Sequence, residues 1–323
     1  MTRSQVTALK RTVLITGASG FIGKHLVRTL AASGWAIRAA ARNPEAIPAS
    51  SGLERVALPD LARPANWSKL TEGVTHVVHL AGIAHAPGTL PDEAYTRINA
   101  DAVGELAHAA LGQVERFVLM SSVRAQAGLA ADHVITETDA AKPTDPYGRS
   151  KLAAERLLKE SGVPFTVLRP AVVYGKGVKG NIASLATLVQ TPMPLPFGSL
   201  DNRRSLLALE NLASAIELLL TLREAEGETF LAADSEPISV AELVAAMREG
   251  LGRAPHLMRV PRVAVKRLMA TFGKEAEWER LSGNFVIDAA KLRGIGWVPL
   301  IKTAKGIAAM MRASGTNGAL KAD

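Results

Sequence analysis

The chain has 323 residues, of which 48 % are apolar, a formal net charge of +8 and no cysteine. That length allows one large domain or two interleaved ones with a sizeable core, and the absent thiol excludes disulfides, cysteine nucleophiles and cysteine-based zinc sites. No apolar run approaches the roughly 18 residues of a membrane span, and the N-terminal "MTRSQVTALKRTVLITG" lacks the apolar region of a secretory leader. A cytoplasmic protein with no membrane partner is therefore expected. The basic residues are scattered, with no run of five, which points to local anion sites and not to a nucleic-acid face. The seven histidines show no ligand spacing with acids, so no metal is expected.

Taken in chain order, the first 175 residues alternate between two patterns. Short apolar runs predict buried parallel strands at "TVLITG" (12–17), "AIRAAAR" (36–42), "HVVHLAG" (76–82), "RFVLMSS" (116–122) and "FTVLRP" (165–170), with a weaker one at "RVAL" (55–58). Helical patterns lie between them at 21–33, 92–111 and 147–161. Such alternation predicts an α/β fold, a Rossmann-type doubly wound parallel sheet with helices on its faces. Beyond Gly175 a glycine-rich turn leads into a helix at "NIASLATLVQ", and the proline-rich "TPMPLPFG" excludes a helix interior. "LENLASAIELLLTLREAEG" predicts one amphipathic helix ending near Gly227, and "ETFLAA" (228–233) one more strand. A helix follows at 239–252, with Ser239 as N-cap and Glu242 at capping-box spacing. The expected organisation is one α/β domain over 10–175, rejoined by 205–233, a smaller, mostly helical part over 176–204 and 234–312, and a frayed tail over 313–323.

Two stretches carry chemistry. In "TGASGFIG", Gly17, Gly20 and Gly23 are spaced G-x-x-G-x-x-G between a strand and a helix. Such a turn lets phosphate oxygens approach the backbone and face the helix N-terminus, the context that makes the pattern a dinucleotide site. The second strand then ends on Ala41 and Arg42, where many NAD-binding folds place an acid. An arginine there suits a 2′-phosphate and favours NADP over NAD; Arg38 is read as a bystander. The other stretch is "DPYGRSK", in which Tyr147 and Lys151 lie one turn apart on one helical face. His79, on a buried strand, reads as a satisfied core histidine, and His85 as non-catalytic.

These motifs, with "HLAG" (79–82), "INADAVG" (98–104), "SSV" (121–123) and "LRPAVVYG" (168–175), resemble the extended short-chain dehydrogenase/reductases of the NAD-dependent epimerase/dehydratase group. Within that group the likeness is closer to proteins acting at C4 of UDP-linked sugars. The resemblance implies that Tyr147 is the proton carrier, that Lys151 lowers its pKa from the usual value of about 10, and that Ser122 hydrogen-bonds the reacting oxygen. It implies a cofactor site of Gly17, Ser19, Gly20, Phe21, Ile22, Gly23, Arg42, Asp60, Leu61, Leu80, Ala81, Gly82, Asn99, Ser121, Pro170 and Val173 together with Tyr147 and Lys151. Asp60 would meet the adenine amino group. Asn181 and Arg204 would meet the substrate diphosphate, with Arg203 not separable from Arg204. The family's dimers imply a homodimer through the helices near 92–111 and 147–161.

Departures narrow the reaction. Dehydratases of the group carry an Asp-Glu pair where this chain has Val123 and Arg124, so elimination of water is not expected. Ala41-Arg42, Val172 and Ala84 each depart from the UDP-galactose-type epimerases. A UDP-hexose 4-keto reductase is therefore favoured over a 4-epimerase. The alternatives are a non-catalytic NADP-binding scaffold on the same fold and a reductase of a non-sugar ketone.

Overall fold

The computed structural model describes residues 11–84, 90–271, 273, 278 and 281–315. The valine-, isoleucine- and alanine-rich runs form a seven-stranded sheet: β1 (Thr12–Thr16), β2 (Ala36–Ala41), β3 (Leu53–Ala57), β4 (His76–His79), β5 (Arg116–Met120), β6 (Phe165–Pro170) and β7 (Thr229–Ala232). Their order is β7-β6-β5-β4-β1-β2-β3. β1 pairs in parallel with both β2 and β4, with Thr16 opposite Ala40 on one side and His79 on the other. The strand order therefore reverses around β1, and the crevice beyond its carboxyl end is where open α/β sheets bind ligands. The β3 strand begins two residues before the predicted "RVAL".

Contacts divide the chain into two compact units: 1–120, 153–167 and 219–228; and 121–152, 168–218 and 229–323. In the first, the helix Phe21–Ala32 buries Gly23, Leu26, Val27 and Leu30, an i, i+3, i+4, i+7 face. Leu14, Val77 and Phe117 from the strands share a core with Val103 and Leu106 from helix Ala102–Ala110 and with Ala154 and Leu158. The predicted helix over 92–111 is interrupted. Asp92–Thr96 and Ala102–Ala110 are α-helical, but Arg97–Asp101 winds as a π-helical turn. Such a turn inserts one residue and re-aims its side chains, and the candidate residue Asn99 lies in it.

The second unit is mostly helical after residue 175. Its helices include Asn181–Leu188, Val240–Gly250, Thr303–Gly315 and most of Leu209–Thr221. Ser239 and Glu242 form the expected capping box, with Ser239 Oγ accepting the Glu242 N–H at 3.1 Å and Glu242 Oε2 accepting the Ser239 N–H at 2.8 Å. The helix predicted to run to Gly227 ends at Thr221, and a separate 3-10 turn covers Arg223–Ala225. The expected frayed tail begins inside helix Thr303–Gly315, and its remainder, 316–323, lies outside the described residues.

A buried polar cluster locks the helical part. The Tyr174 hydroxyl donates to Asp234 Oδ2 at 2.8 Å, and Asn211 Nδ2 donates to Asp234 Oδ1 at 2.7 Å. Asn211 Oδ1 in turn accepts the Leu300 and Ile301 N–H groups. Gly250 allows the helices Val240–Gly250 and Thr303–Gly315 to touch: a Cβ there would stand 2.3 Å from the Ala308 oxygen.

Candidate active site

The glycine turn follows from steric need. Gly17 has φ +71, and a Cβ on it would lie 2.9 Å from the Ala81 nitrogen where the chain leaves β4. A Cβ on Gly23 would lie 2.3 Å from the Gly17 oxygen and 2.7 Å from Ala18 Cα, so the helix can approach the strand only with glycine there. Gly20, at φ −74 and ψ 177, is the helix N-cap, and no side chain caps that end. Four backbone N–H groups at a helix N-terminus have no intrahelical partner, and this end is lined by the main chain of Gly17, Ser19, Gly20, Phe21 and Ile22. A turn that needs glycine at Gly17 and Gly23 and ends on uncapped N–H groups fits a dinucleotide pyrophosphate.

Thr16 ties this turn to the end of β4. Its Oγ1 is 3.0 Å from His79 Nδ1 and accepts the Ala81 N–H at 3.2 Å. His79 is fully buried, which bears out the core placement, and is tied to Thr16 through Nδ1. Asn99 braces the same segment: its Oδ1 accepts the Ile83 N–H at 2.8 Å and its Nδ2 donates to the Ile83 oxygen at 2.9 Å. The amide of Asn99 thus grips the main chain beyond Leu80, Ala81 and Gly82. His85 lies outside the described residues.

Arg38 in β2 and Arg42 just beyond its end separate cleanly. Arg38 meets Glu54 at 2.6 Å and donates to the Leu70 and Glu72 carbonyls, so its charge is committed to the fold. Arg42 is exposed and makes no hydrogen bond or ion pair with a described residue. Asp60 is also exposed. Its Oδ1 accepts the Ala62 N–H at 3.0 Å, while Leu61 beside it is buried.

In the second unit, Ser121 continues the β5 line, its N–H donating to the Leu168 oxygen at 2.8 Å. Ser122 then turns the chain: its Oγ accepts the Arg124 N–H at 3.1 Å and starts the 3-10 turn Val123–Ala125. Tyr147 occupies the first turn of helix Pro146–Glu160, and its phenol hydrogen-bonds Ser122. Lys151, one turn further on, is only 5 % exposed. Asp145 caps the helix, its Oδ1 accepting the Gly148 N–H at 2.6 Å, and forms an ion pair with Arg124. The sequence reading did not identify Asp145, although an acid three residues before a helical N–H is a cap signal.

The direction of the Tyr147 pKa differs from the sequence expectation. Burial pushes the phenol up, and the Asp145 carboxylate pushes the same way. The Ser122 hydrogen bond and the Arg124 charge pull it down without prevailing. The physical reason is desolvation: a half-buried phenolate loses more hydration than these partners restore.

The candidate substrate residues fare differently. Asn181 opens helix Asn181–Leu188 with its side chain exposed. Arg204 donates from Nη1 to the Gly283 oxygen at 2.9 Å and from Nη2 to the Leu129 oxygen at 3.2 Å, with its guanidinium over the Phe285 ring. Burial, and then the Arg124 charge, lower its pKa to about 10. Arg203 turns away to Glu242 at 3.0 Å, which separates the two arginines. Pro170 ends β6, and Val173 pairs with Leu207 in a short parallel bridge. Among the described residues no group of three or more His, Asp or Glu side chains could hold a metal, and no helix is long and apolar enough to cross a membrane.

A parallel sheet whose strand order reverses at β1, with a glycine turn after β1 that fits a pyrophosphate, is the fold of the extended short-chain dehydrogenase/reductases. The sequence model of the NAD dependent epimerase/dehydratase family matches residues 13–233, and the chain belongs to that family. It is 32 % identical over 303 residues to a UDP-glucose 4-epimerase of Vibrio cholerae, covering 90 % of this chain and 92 % of that one. It is 29 % identical over 310 residues to a 3 beta-hydroxysteroid dehydrogenase/Delta 5-->4-isomerase of Mycobacterium tuberculosis, covering 90 % and 80 %. Among solved structures it is similar to MoeE5 in complex with UDP-glucose and NAD, with a TM-score of 0.74 at 27 % identity, covering 96 % of this chain and all of that one.

Proposed function

We propose that this enzyme transfers hydride at C4 of a UDP-linked hexose, in the direction of 4-keto reduction. The observation that carries the reading is the Ser122–Tyr147 hydrogen bond beside a buried Lys151 on the same helix. Tyr147 holds the proton that the C4 oxygen gains on reduction, or takes it on oxidation. Ser122 hydrogen-bonds that oxygen and keeps it within reach of the phenol. Lys151 supplies positive charge one turn away, which favours the phenolate that burial alone opposes. A bound nicotinamide would supply or accept the hydride. The main chain of Gly17–Gly23 would hold its pyrophosphate, with Asp60 toward the adenine.

Arg42 supports NADP, since an exposed guanidinium with no described partner is free to meet a 2′-phosphate. Arg204 keeps donors beyond its two carbonyl bonds and suits a diphosphate, with Asn181 as its companion. Retention of Ser122, Tyr147 and Lys151 together favours an enzyme over a scaffold. A second reading, 4-epimerisation with NAD, draws on the Vibrio cholerae relative and on MoeE5 with its UDP-glucose and NAD. We further propose a homodimer, which light scattering tests directly.

The deciding experiment incubates the protein with UDP-glucose, UDP-GlcNAc and their 4-keto-6-deoxy forms, with and without NADPH or NADH. Oxidation of NADPH by a keto sugar supports the first reading. Epimerised product without added cofactor supports the second. Dinucleotide binding without turnover of any UDP-sugar sinks both.

A further inference from the structure

Arg124 and Asp145 flank Tyr147 and have no task in the reaction just proposed. Both are nevertheless fixed with unusual care. Ser122 Oγ holds the Arg124 N–H. The Arg124 carbonyl lies so close to the catalytic helix that a Cβ on Gly148 would stand 2.3 Å from its oxygen. The residue after Tyr147 must therefore be glycine for the turn and the helix to meet. The Arg124 side chain, 16 % exposed, then reaches Asp145 through Nη2 alone. Its Nη1 is buried and has no hydrogen-bond partner among the described residues. An arginine kept only to fasten a carboxylate would do so with both arms, and an unpaired buried N–H costs stability. Asp145 is the more constrained partner, since its other oxygen caps the helix at the Gly148 N–H and its carbonyl accepts the Arg149 N–H at 3.0 Å.

The cap creates a conflict. A carboxylate is a good partner for a helix N-terminus, but this one lies two residues from Tyr147 and opposes its ionisation. We propose that Arg124 is a positioning residue that neutralises the capping carboxylate of Asp145 and so keeps that charge from opposing proton transfer at Tyr147. The groups acting on the phenol are Ser122 through its hydrogen bond, Arg124 from the 3-10 turn and Asp145 from the helix cap, while Lys151 lies one turn further along the same helix. Arg204 acts at one remove, through Arg124. The inference rests on Tyr147 as the proton carrier.

The test compares Arg124→Gln, Arg124→Lys, Asp145→Asn and the double variant Arg124→Gln/Asp145→Asn. Asparagine still caps the helix. Two readouts are taken: the pH profile of kcat with UDP-hexose and dinucleotide, and the tyrosinate absorbance titration of the full chain, read as a difference against Tyr147→Phe. Arg124→Gln should raise the ionisation assigned to Tyr147 by roughly one pH unit, and Asp145→Asn should lower it by a similar amount. The double variant should return close to wild type, and Arg124→Lys should keep the wild-type value. If Arg124→Gln and Asp145→Asn move the ionisation in the same direction, or leave it unmoved while both lower Tm, the pair is only a structural clasp and the inference fails. Should no UDP-hexose be turned over, the functional reading falls on that result, while the absorbance titration still decides the role of Arg124. Should Arg124→Gln not fold, Asp145→Asn alone decides, because a value unchanged or raised in it overturns the proposal.

Discussion

Gly23→Ala isolates the dinucleotide cradle from everything else in the chain. The added Cβ would lie 2.3 Å from the Gly17 oxygen, 2.7 Å from Ala18 Cα and 2.8 Å from the Ala18 carbonyl carbon. All three are backbone atoms, so no side chain can swing aside. Restoring ordinary contact requires the helix Phe21–Ala32 to withdraw by about 1 Å, loosening the packing of Leu26, Val27 and Leu30; overpacking of this kind costs about 1–3 kcal/mol. The same withdrawal carries the helical N–H groups away from the phosphate position. Losing one charge-assisted hydrogen bond of about 1.5–3 kcal/mol corresponds to a roughly 10- to 100-fold weaker Kd. Gly20→Ala is the matched control. Its φ of −74 suits alanine, and its Cβ would meet only the Gly17 oxygen, at 3.1 Å. Fluorescence titration with NADH and NADPH, run beside thermal unfolding, reads both effects. If Gly23→Ala binds dinucleotide within about twofold of wild type, the helix does not hold the pyrophosphate and the cradle assignment is wrong.

Three further outcomes are expected. Tyr147→Phe should lower kcat by at least about 10²-fold while leaving dinucleotide affinity and Tm near wild type, as steady-state kinetics and calorimetry can establish; retained turnover would remove the proton-carrier role. Arg42→Asp should weaken NADPH binding by roughly 10-fold or more with little change for NADH, and equal effects on both cofactors would deny Arg42 the 2′-phosphate. Tyr174→Phe should destabilise the protein by about 1–3 kcal/mol, because it strips a donor from the buried Asp234 carboxyl. That loss should grow with pH. Burial raises the Asp234 pKa, so its neutral form contributes stability that is complete below the unfolded carboxyl pKa and is lost as pH rises through the folded value. Without the phenol, which favours the carboxylate, the loss at high pH deepens. Denaturant titrations of Tyr174→Phe and wild type at acidic and alkaline pH would expose a pH-independent difference and so refute the coupling.

What the sequence determined by itself is what local chemistry dictates. Short continuous apolar runs and period-3.6 apolar patterns are set by neighbours in the chain, so the strands β1, β2, β4, β5 and β6 and the helix Phe21–Ala32 are legible in it. Gly17 and Gly23 are legible because one turn geometry demands them, and the Tyr147–Lys151 pair because four residues make one helical turn. The π-helical turn at Arg97–Asp101 has no such local signature, and neither does the end of the helix at Thr221. The tertiary structure alone decided between like residues. Arg38 is bound to Glu54 and to backbone carbonyls whereas Arg42 is not, and Arg203 goes to Glu242 whereas Arg204 stacks on Phe285. It also decided the direction of the Tyr147 pKa, since desolvation and the opposing charges of Asp145 and Arg124 depend on burial and on partners up to 23 residues away in the sequence. Hydration and Coulomb energy depend on distance through space, which a linear order of residues does not contain.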